Sequence, residues 1–159
     1  YKGTFSRTIK IEELVKFKNT NNANTKLKNL IKITNQDETE LLKVISMKIE
    51  VPLKTSSKLM NSKIGEVFLQ RISKIIYPNK ILDKEISTKA IRSAILISSF
   101  HNNQRINLID FFKAYPNKNV ALDLNALSKT LKKVESLKEL IEFYSDSPFK
   151  KLKDGRSST

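Results

Sequence analysis

The sequence predicts a mainly α-helical fold: a compact bundle of about six to seven helices, with room for one short two-stranded β pairing between residues 7–11 and 120–122. Only three glycines and four prolines occur among the 159 residues, whereas all-β folds need frequent turn residues. Apolar residues also recur at spacings of three and four along most of the chain, which is the period of an amphipathic helix.

Most of the elements begin or end at a recognisable signal. The apolar spacing predicts helices over residues 12–18, 26–33, 35–51, 64–76, 87–101, 107–115 and 123–144. Pro52 and Pro78 end the third and fourth helices, because proline lacks the backbone donor that a helix needs, and a turn is expected at 53–60. Ser87 and Asn107 can cap the fifth and sixth helices with their side-chain oxygens. The alternation of polar and apolar residues in RTIKI predicts the first strand.

The fifth helix, Ser87–His101, is apolar on nearly every side, so we expect it to be the central and most buried element. Arg92 interrupts its apolar stretch. The seventh helix carries a regular apolar stripe of the kind that closes a bundle. We therefore predict one helical domain over residues 1–144, followed by a basic, flexible tail at 145–159.

The formal net charge is +14, with 30 basic and 16 acidic residues. Such a charge favours an acidic partner: a nucleic acid, an anionic membrane surface or an acidic protein. A compositional explanation competes, because most of the basic residues are lysines, as an AT-rich coding sequence produces. Arginine, whose fork binds phosphate with two hydrogen bonds, is scarce. We expect a protein or an anionic membrane ahead of nucleic acid, with candidate contacts in the tail at Lys150, Lys151, Lys153 and Arg156.

No catalytic machinery is recognisable, so we predict that the chain is not an enzyme. A serine nucleophile needs a glycine-flanked elbow and a histidine base, but no G-x-S-x-G occurs and His101 is the sole histidine. At a helix end, His101 is more simply explained by its interaction with free carbonyls. With no cysteine, only an all-oxygen metal site could form, and no acidic cluster suggests one. We expect no metal and no cofactor.

Two groups of residues have both a structural and a functional interpretation. Arg92 either forms a buried ion pair with Asp110 or Asp123, as buried arginines usually do, or binds an external anion. The aromatic residues either fill the core, which is the commoner outcome, or line a hydrophobic pocket for a lipid-like ligand. They are Phe68, Phe100, Phe111, Phe112 and Tyr115.

Four segments, in this order and spacing, resemble a known family. They are Ser6–Leu14 (SRTIKIEEL), Lys63–Ile76 (KIGEVFLQRISKII), Lys89–Ile97 (KAIRSAILI) and Ile106–Leu124 (INLIDFFKAYPNKNVALDL). The family is a cyanobacterial domain of unknown function (DUF1400) that usually lies N-terminal to an α/β-hydrolase domain. The resemblance implies export, to the periplasm or the thylakoid lumen. It supplies no catalytic residue, because none lies in the shared module.

Three functions remain open at this point. The first is a non-catalytic, exported interaction module with a protein or membrane partner. The second is an accessory or lid domain of a lipase- or esterase-like hydrolase whose catalytic domain is outside this chain. The third is a basic nucleic-acid-binding protein. No apolar run approaches the roughly 20 residues that a membrane span needs, and since the chain begins at Tyr1, any signal peptide would already have been removed.

Overall fold

The computed structural model describes residues 7–78 and 83–145, which fold into helices and a few short antiparallel strands. The helices are α1 (Ile11–Thr20), α2 (Thr25–Ile33), α3 (Glu38–Ser46), α4 (Leu53–Met60), α5 (Lys63–Ile72), α6 (Lys84–His101), α7 (Leu108–Ala114), α8 (Leu124–Leu131) and α9 (Leu137–Ser145). The strands are β1 (Arg7–Lys10), β2 (Ile49–Glu50), β3 (Ile76–Pro78), β4 (Arg105–Ile106) and β5 (Asn119–Leu122).

The mainly helical class is confirmed, but the count of six to seven helices was too low, because the described ranges alone contain nine. Two segments account for the difference. Residues 53–60, expected to be a turn, form α4, which begins directly after Pro52, where proline suits a helix start. The predicted seventh helix is divided into α8 and α9.

The division between α8 and α9 is encoded locally. Ser136 accepts a hydrogen bond from the backbone of Glu139, whose carboxylate accepts one from the backbone of Glu135. The S-x-x-E spacing of this segment is a helix-start signature. Ser136 also forms a bridge with Glu50 of β2. The chain therefore leaves one helix and starts another beside the second sheet.

The predicted strand pairing is confirmed. β1 and β5 are antiparallel, with Ile9 opposite Val120. The sheet has a third strand that the sequence did not predict, because β3 pairs with the other side of β5 and places Pro78 opposite Val120. The amphipathic helix consequently ends at Ile72 rather than Ile76. Proline is tolerated in β3 because an edge strand leaves backbone donors free.

Helix α6 begins three residues before Ser87, because the side chain of Asp83 caps it by accepting from the backbones of Glu85 and Ile86. One face of α6 is buried, with Ile91 and Ala94 fully inaccessible, and it packs against α4, α5 and α7. The apolar residues on its opposite face do not add to the burial expected of this central helix, since Ile86, Ile97 and Phe100 are open to solvent.

Gly65 allows α4 and α5 to approach closely. A Cβ atom at this position would lie 1.9 Å from the carbonyl oxygen of Leu59 and 2.9 Å from the Cα of Met60. Both are backbone atoms, so a side chain could be accommodated only by moving the turn between the helices. The glycine is therefore required by packing. Its backbone amide also donates to the side chain of Ser62, which caps α5.

Candidate functional site

An apolar cavity of about 80 Å³ lies where α5, α6 and α7 meet α8 and α9. Its wall includes Phe68, Ile91, Ile95 and Phe111 from the first three helices, and Leu127, Leu131, Leu137 and Leu140 from the last two. Every one of these side chains except Leu140 is buried. Most of the cavity wall thus belongs to the hydrophobic core.

The few polar groups on this wall are already engaged with one another or with the backbone. The hydroxyls of Thr130 and Tyr144 share a hydrogen bond, and the Thr130 hydroxyl also donates to the carbonyl of Ala126. The amide oxygen of Asn107 accepts from the backbone of Asp110. The wall therefore offers little that could hold a water molecule, which needs two to four polar partners.

Burial dominates the acid–base behaviour of the two tyrosines near the core. It raises the pKa of Tyr144 above its ordinary value; the hydrogen bond with Thr130 opposes this effect, and the charge of Asp123 adds to it. Burial raises the pKa of Tyr115 far more strongly. The Tyr115 hydroxyl has no hydrogen-bond partner among the described residues, so its neutral form is strongly favoured.

The predicted aromatic pocket is only partly assembled. Phe68 and Phe111 line the cavity, and Phe111 packs on Phe112 and Tyr115 with ring centroids 5.3 and 5.7 Å apart. Phe112 and Tyr115 instead lie beside an open groove between α1 and α7. Phe100 is not part of any pocket that these residues form, because 70% of its surface is exposed.

The predicted buried ion pair of Arg92 with Asp110 or Asp123 does not form. Asp110 completes a capping box with Asn107 at the start of α7, and Asp123 caps α8 through the backbone of Ala126. Arg92 is half-buried, and its Nε atom has no hydrogen-bond partner within the described ranges. Both carboxylates are instead used by helix starts, which accept negative charge readily.

The face of α6 that points to solvent was missed by the sequence interpretation. Ile86, Ile97 and Phe100 are 49%, 46% and 70% exposed. At roughly 100° per residue, these three positions and Ser93 fall within an arc of about 60° on the helix. We call the set of Ile86, Ser93, Ile97 and Phe100 the α6 face. The signal was the all-round apolarity of the helix, which we had attributed to burial.

His101 is the last residue of α6 and is exposed, and its ring meets the edge of Phe100 at a centroid distance of 5.5 Å. Across residues 7–78 and 83–145, no group of three or more His, Asp or Glu side chains is placed to hold a metal ion. In the same ranges, no helix has the length and apolar character that crossing a membrane requires. The proposed tail contacts, Lys150, Lys151, Lys153 and Arg156, lie outside the described residues.

Comparison with known proteins identifies a family but no close relative. No curated protein and no solved structure matches the chain. Residues 1–123 match the family described as "Alpha/beta hydrolase of unknown function (DUF1400)", in agreement with the resemblance noted in the four segments. The matched segment ends at Asp123, the capping residue of α8. Because the match spans most of the sequence, this chain belongs to the DUF1400 family of α/β hydrolases of unknown function.

Proposed function

We propose that this chain is a non-catalytic docking module of its hydrolase family, which holds an anionic membrane surface through the α6 face. Family membership supplies the hydrolase context. The whole sequence has no G-x-S-x-G elbow, and His101 is its sole histidine. Both facts favour a non-catalytic role over serine-based hydrolysis. The observation that carries the proposal is the exposure of three large apolar side chains on one helix face.

The α6 face is suited to contact with lipid. Single exposed apolar residues are ordinary on protein surfaces, but Ile86, Ile97 and Phe100 are aligned along one side of a single helix. Burying a side chain of this size is worth about 1.5–3 kcal/mol. A helix that lies in the membrane interface gains its affinity from such a row together with basic residues beside it.

A basic group lies beside the α6 face. Lys89 lies at its edge but is paired with Glu85 at 2.7 Å, an exposed contact within the same helix. Arg92 lies outside the α6 face, about 80° around the helix from Phe100, and its buried Nε atom has no hydrogen-bond partner among the described residues. The net charge of +14 adds long-range attraction to an anionic surface.

This arrangement favours lipid over the alternative partners. A nucleic acid offers phosphates but has no apolar surface that would cover Phe100. A catalytic hydrolase domain packed on the α6 face, as an accessory or lid domain would require, could cover it but would make no use of the large positive charge. We extend the proposal to an exported location, the periplasm or thylakoid lumen, which fractionation of the source cells with an antibody to this chain would test.

Co-sedimentation with vesicles tests the docking proposal. We expect the protein to bind vesicles of phosphatidylglycerol and phosphatidylcholine, and to bind pure phosphatidylcholine more weakly. Phe100→Ser combined with Ile97→Ser should weaken binding about tenfold or more, because the burial of two large side chains is lost.

Phe143→Ser is the matched control. Phe143 is also an exposed phenylalanine, at 38%, but it lies on α9 under Lys133, so its loss should change vesicle binding by less than about twofold. Equal binding by the wild type and the α6 variant would contradict the proposal. So would the absence of vesicle binding at moderate salt, and retention of duplex DNA in place of vesicles would favour the nucleic-acid alternative.

A further inference from the structure

We infer that the apolar cavity is a binding site for the end of a linear alkyl chain that carries an anionic head group. The inference rests on the cavity and its mouth, and it does not depend on the proposed docking of the α6 face.

The chemistry of the wall selects an apolar ligand. Almost all of its atoms are carbon, contributed by isoleucine, leucine and phenylalanine side chains. The wall has two hydroxyl groups, those of Thr130 and Tyr144, and they are hydrogen-bonded to each other. A cavity of this kind stays dry, so a hydrocarbon entering it displaces no bound water and gains contacts on every side.

The size of the cavity selects a chain rather than a ring. An engineered apolar cavity of about 150 Å³ takes up benzene, whereas the volume here is about 80 Å³. An aromatic ring would require the core to expand. The terminal methylenes of a linear chain are narrower and can fill such a space one after another.

Half-buried lining residues mark an opening to solvent. All but four of the lining residues are buried; the four exceptions are Met47, Ile49, Leu140 and Tyr144. The bridge between Glu50 and Ser136 holds the strand that contains Ile49 beside the start of α9. The mouth of the cavity therefore lies between the segment 47–49 and the exposed side of α9.

A cation stands at this mouth, because the exposed Arg71 donates a hydrogen bond to the backbone carbonyl of the rim residue Tyr144. A carboxylate or phosphate at the head of the chain would face this group while the chain lies inside.

The test uses methyl NMR spectra of the protein with sodium decanoate below its micelle concentration. We expect the methyl resonances of Ile91 and Ile95, which line the cavity, to shift with saturation. Those of Ile45, which is fully buried elsewhere in the core, should stay in place. Xenon under pressure reports on the cavity volume without any head group, and a second titration with phosphatidylglycerol vesicles shows whether the chain of an intact lipid also enters.

A pair of substitutions on α9 tests the mouth. Leu140→Trp should block entry and weaken decanoate binding about tenfold or more, whereas Glu142→Trp, on an exposed position of the same helix, should bind as the wild type does. Unshifted Ile91 and Ile95 methyls at saturating decanoate would overturn the inference even if no variant folds. Shifts with xenon alone would also overturn it, because they would leave an empty void without a chain-binding role.

Discussion

The hydroxyl of Tyr144 shares a hydrogen bond with that of Thr130 and so links α9 to α8 at the wall of the apolar cavity. A second hydrogen bond links α5 to α9, because the guanidinium of Arg71 donates to the backbone carbonyl of Tyr144. Six of the 19 residues that line the cavity lie in α8 and α9, and both helices follow the segment that matches the family. The cavity is thus completed by a part of the chain outside that match.

Tyr144 and Tyr115 should respond oppositely to the loss of their hydroxyls. Tyr144→Phe removes a satisfied hydrogen bond and should lower the free energy of unfolding by about 1 kcal/mol. Tyr115→Phe removes a buried hydroxyl that has no partner among the described residues, so it should leave the free energy of unfolding unchanged or raise it by about 1 kcal/mol. Urea denaturation of both variants measures the difference, and equal losses would contradict these assignments.

Alkaline pH should destabilise the protein through Tyr115. The pKa of its phenol is raised by burial in the folded state, while the unfolded phenol ionises near pH 10. Below about pH 10 both states keep the proton and stability is full. Above it the unfolded state loses the proton first, so stability falls by up to about 1.4 kcal/mol per pH unit.

The comparison of the wild type with Tyr115→Phe isolates this effect from the titration of the lysines. The variant should lose less stability between about pH 9 and pH 11 in chemical denaturation, because one buried phenol is gone. Parallel pH profiles for the two proteins would show that the Tyr115 hydroxyl reaches water.

Gly65→Ala should be strongly destabilising. The new methyl group would collide with the carbonyl of Leu59, and the backbone of the turn would have to move, at a cost of at least about 2 kcal/mol. Glu66→Ala, at the exposed neighbouring position, is the control and should change stability by less than about 0.5 kcal/mol. If thermal denaturation showed similar losses of stability for the two variants, the close approach of α4 and α5 would be contradicted.

Local signals in the sequence were sufficient for part of the fold. The alternation at β1 and the Asn107 cap of α7 are both present as expected, since each depends on residues adjacent in the chain. The start of α9 at Ser136 could also have been predicted from its S-x-x-E spacing. The continuous apolar stripe from Leu124 to Tyr144 instead predicts one helix.

Other features depend on contacts that no local pattern encodes. Ile76 fits both the helical and the strand period, and its strand is selected by pairing with Leu122 of β5. The apolar residues of α6 could belong to the core or to an exposed face, and only packing separates Ile91 from Ile97. Likewise, Arg92 remained without a carboxylate because helix caps occupy both of its proposed partners.

Spin labelling tests the docking of the α6 face on an anionic membrane most directly, and the absence of cysteine allows a label at a single chosen site. Ser93→Cys places the label at the centre of the α6 face, and Thr39→Cys places it at an exposed position of α3. On phosphatidylglycerol vesicles, the label at position 93 should gain access to oxygen in the bilayer and lose access to a water-soluble relaxation agent, while the label at position 39 should stay in water. A label at position 93 that remains in water while the protein is bound to vesicles would contradict the proposal.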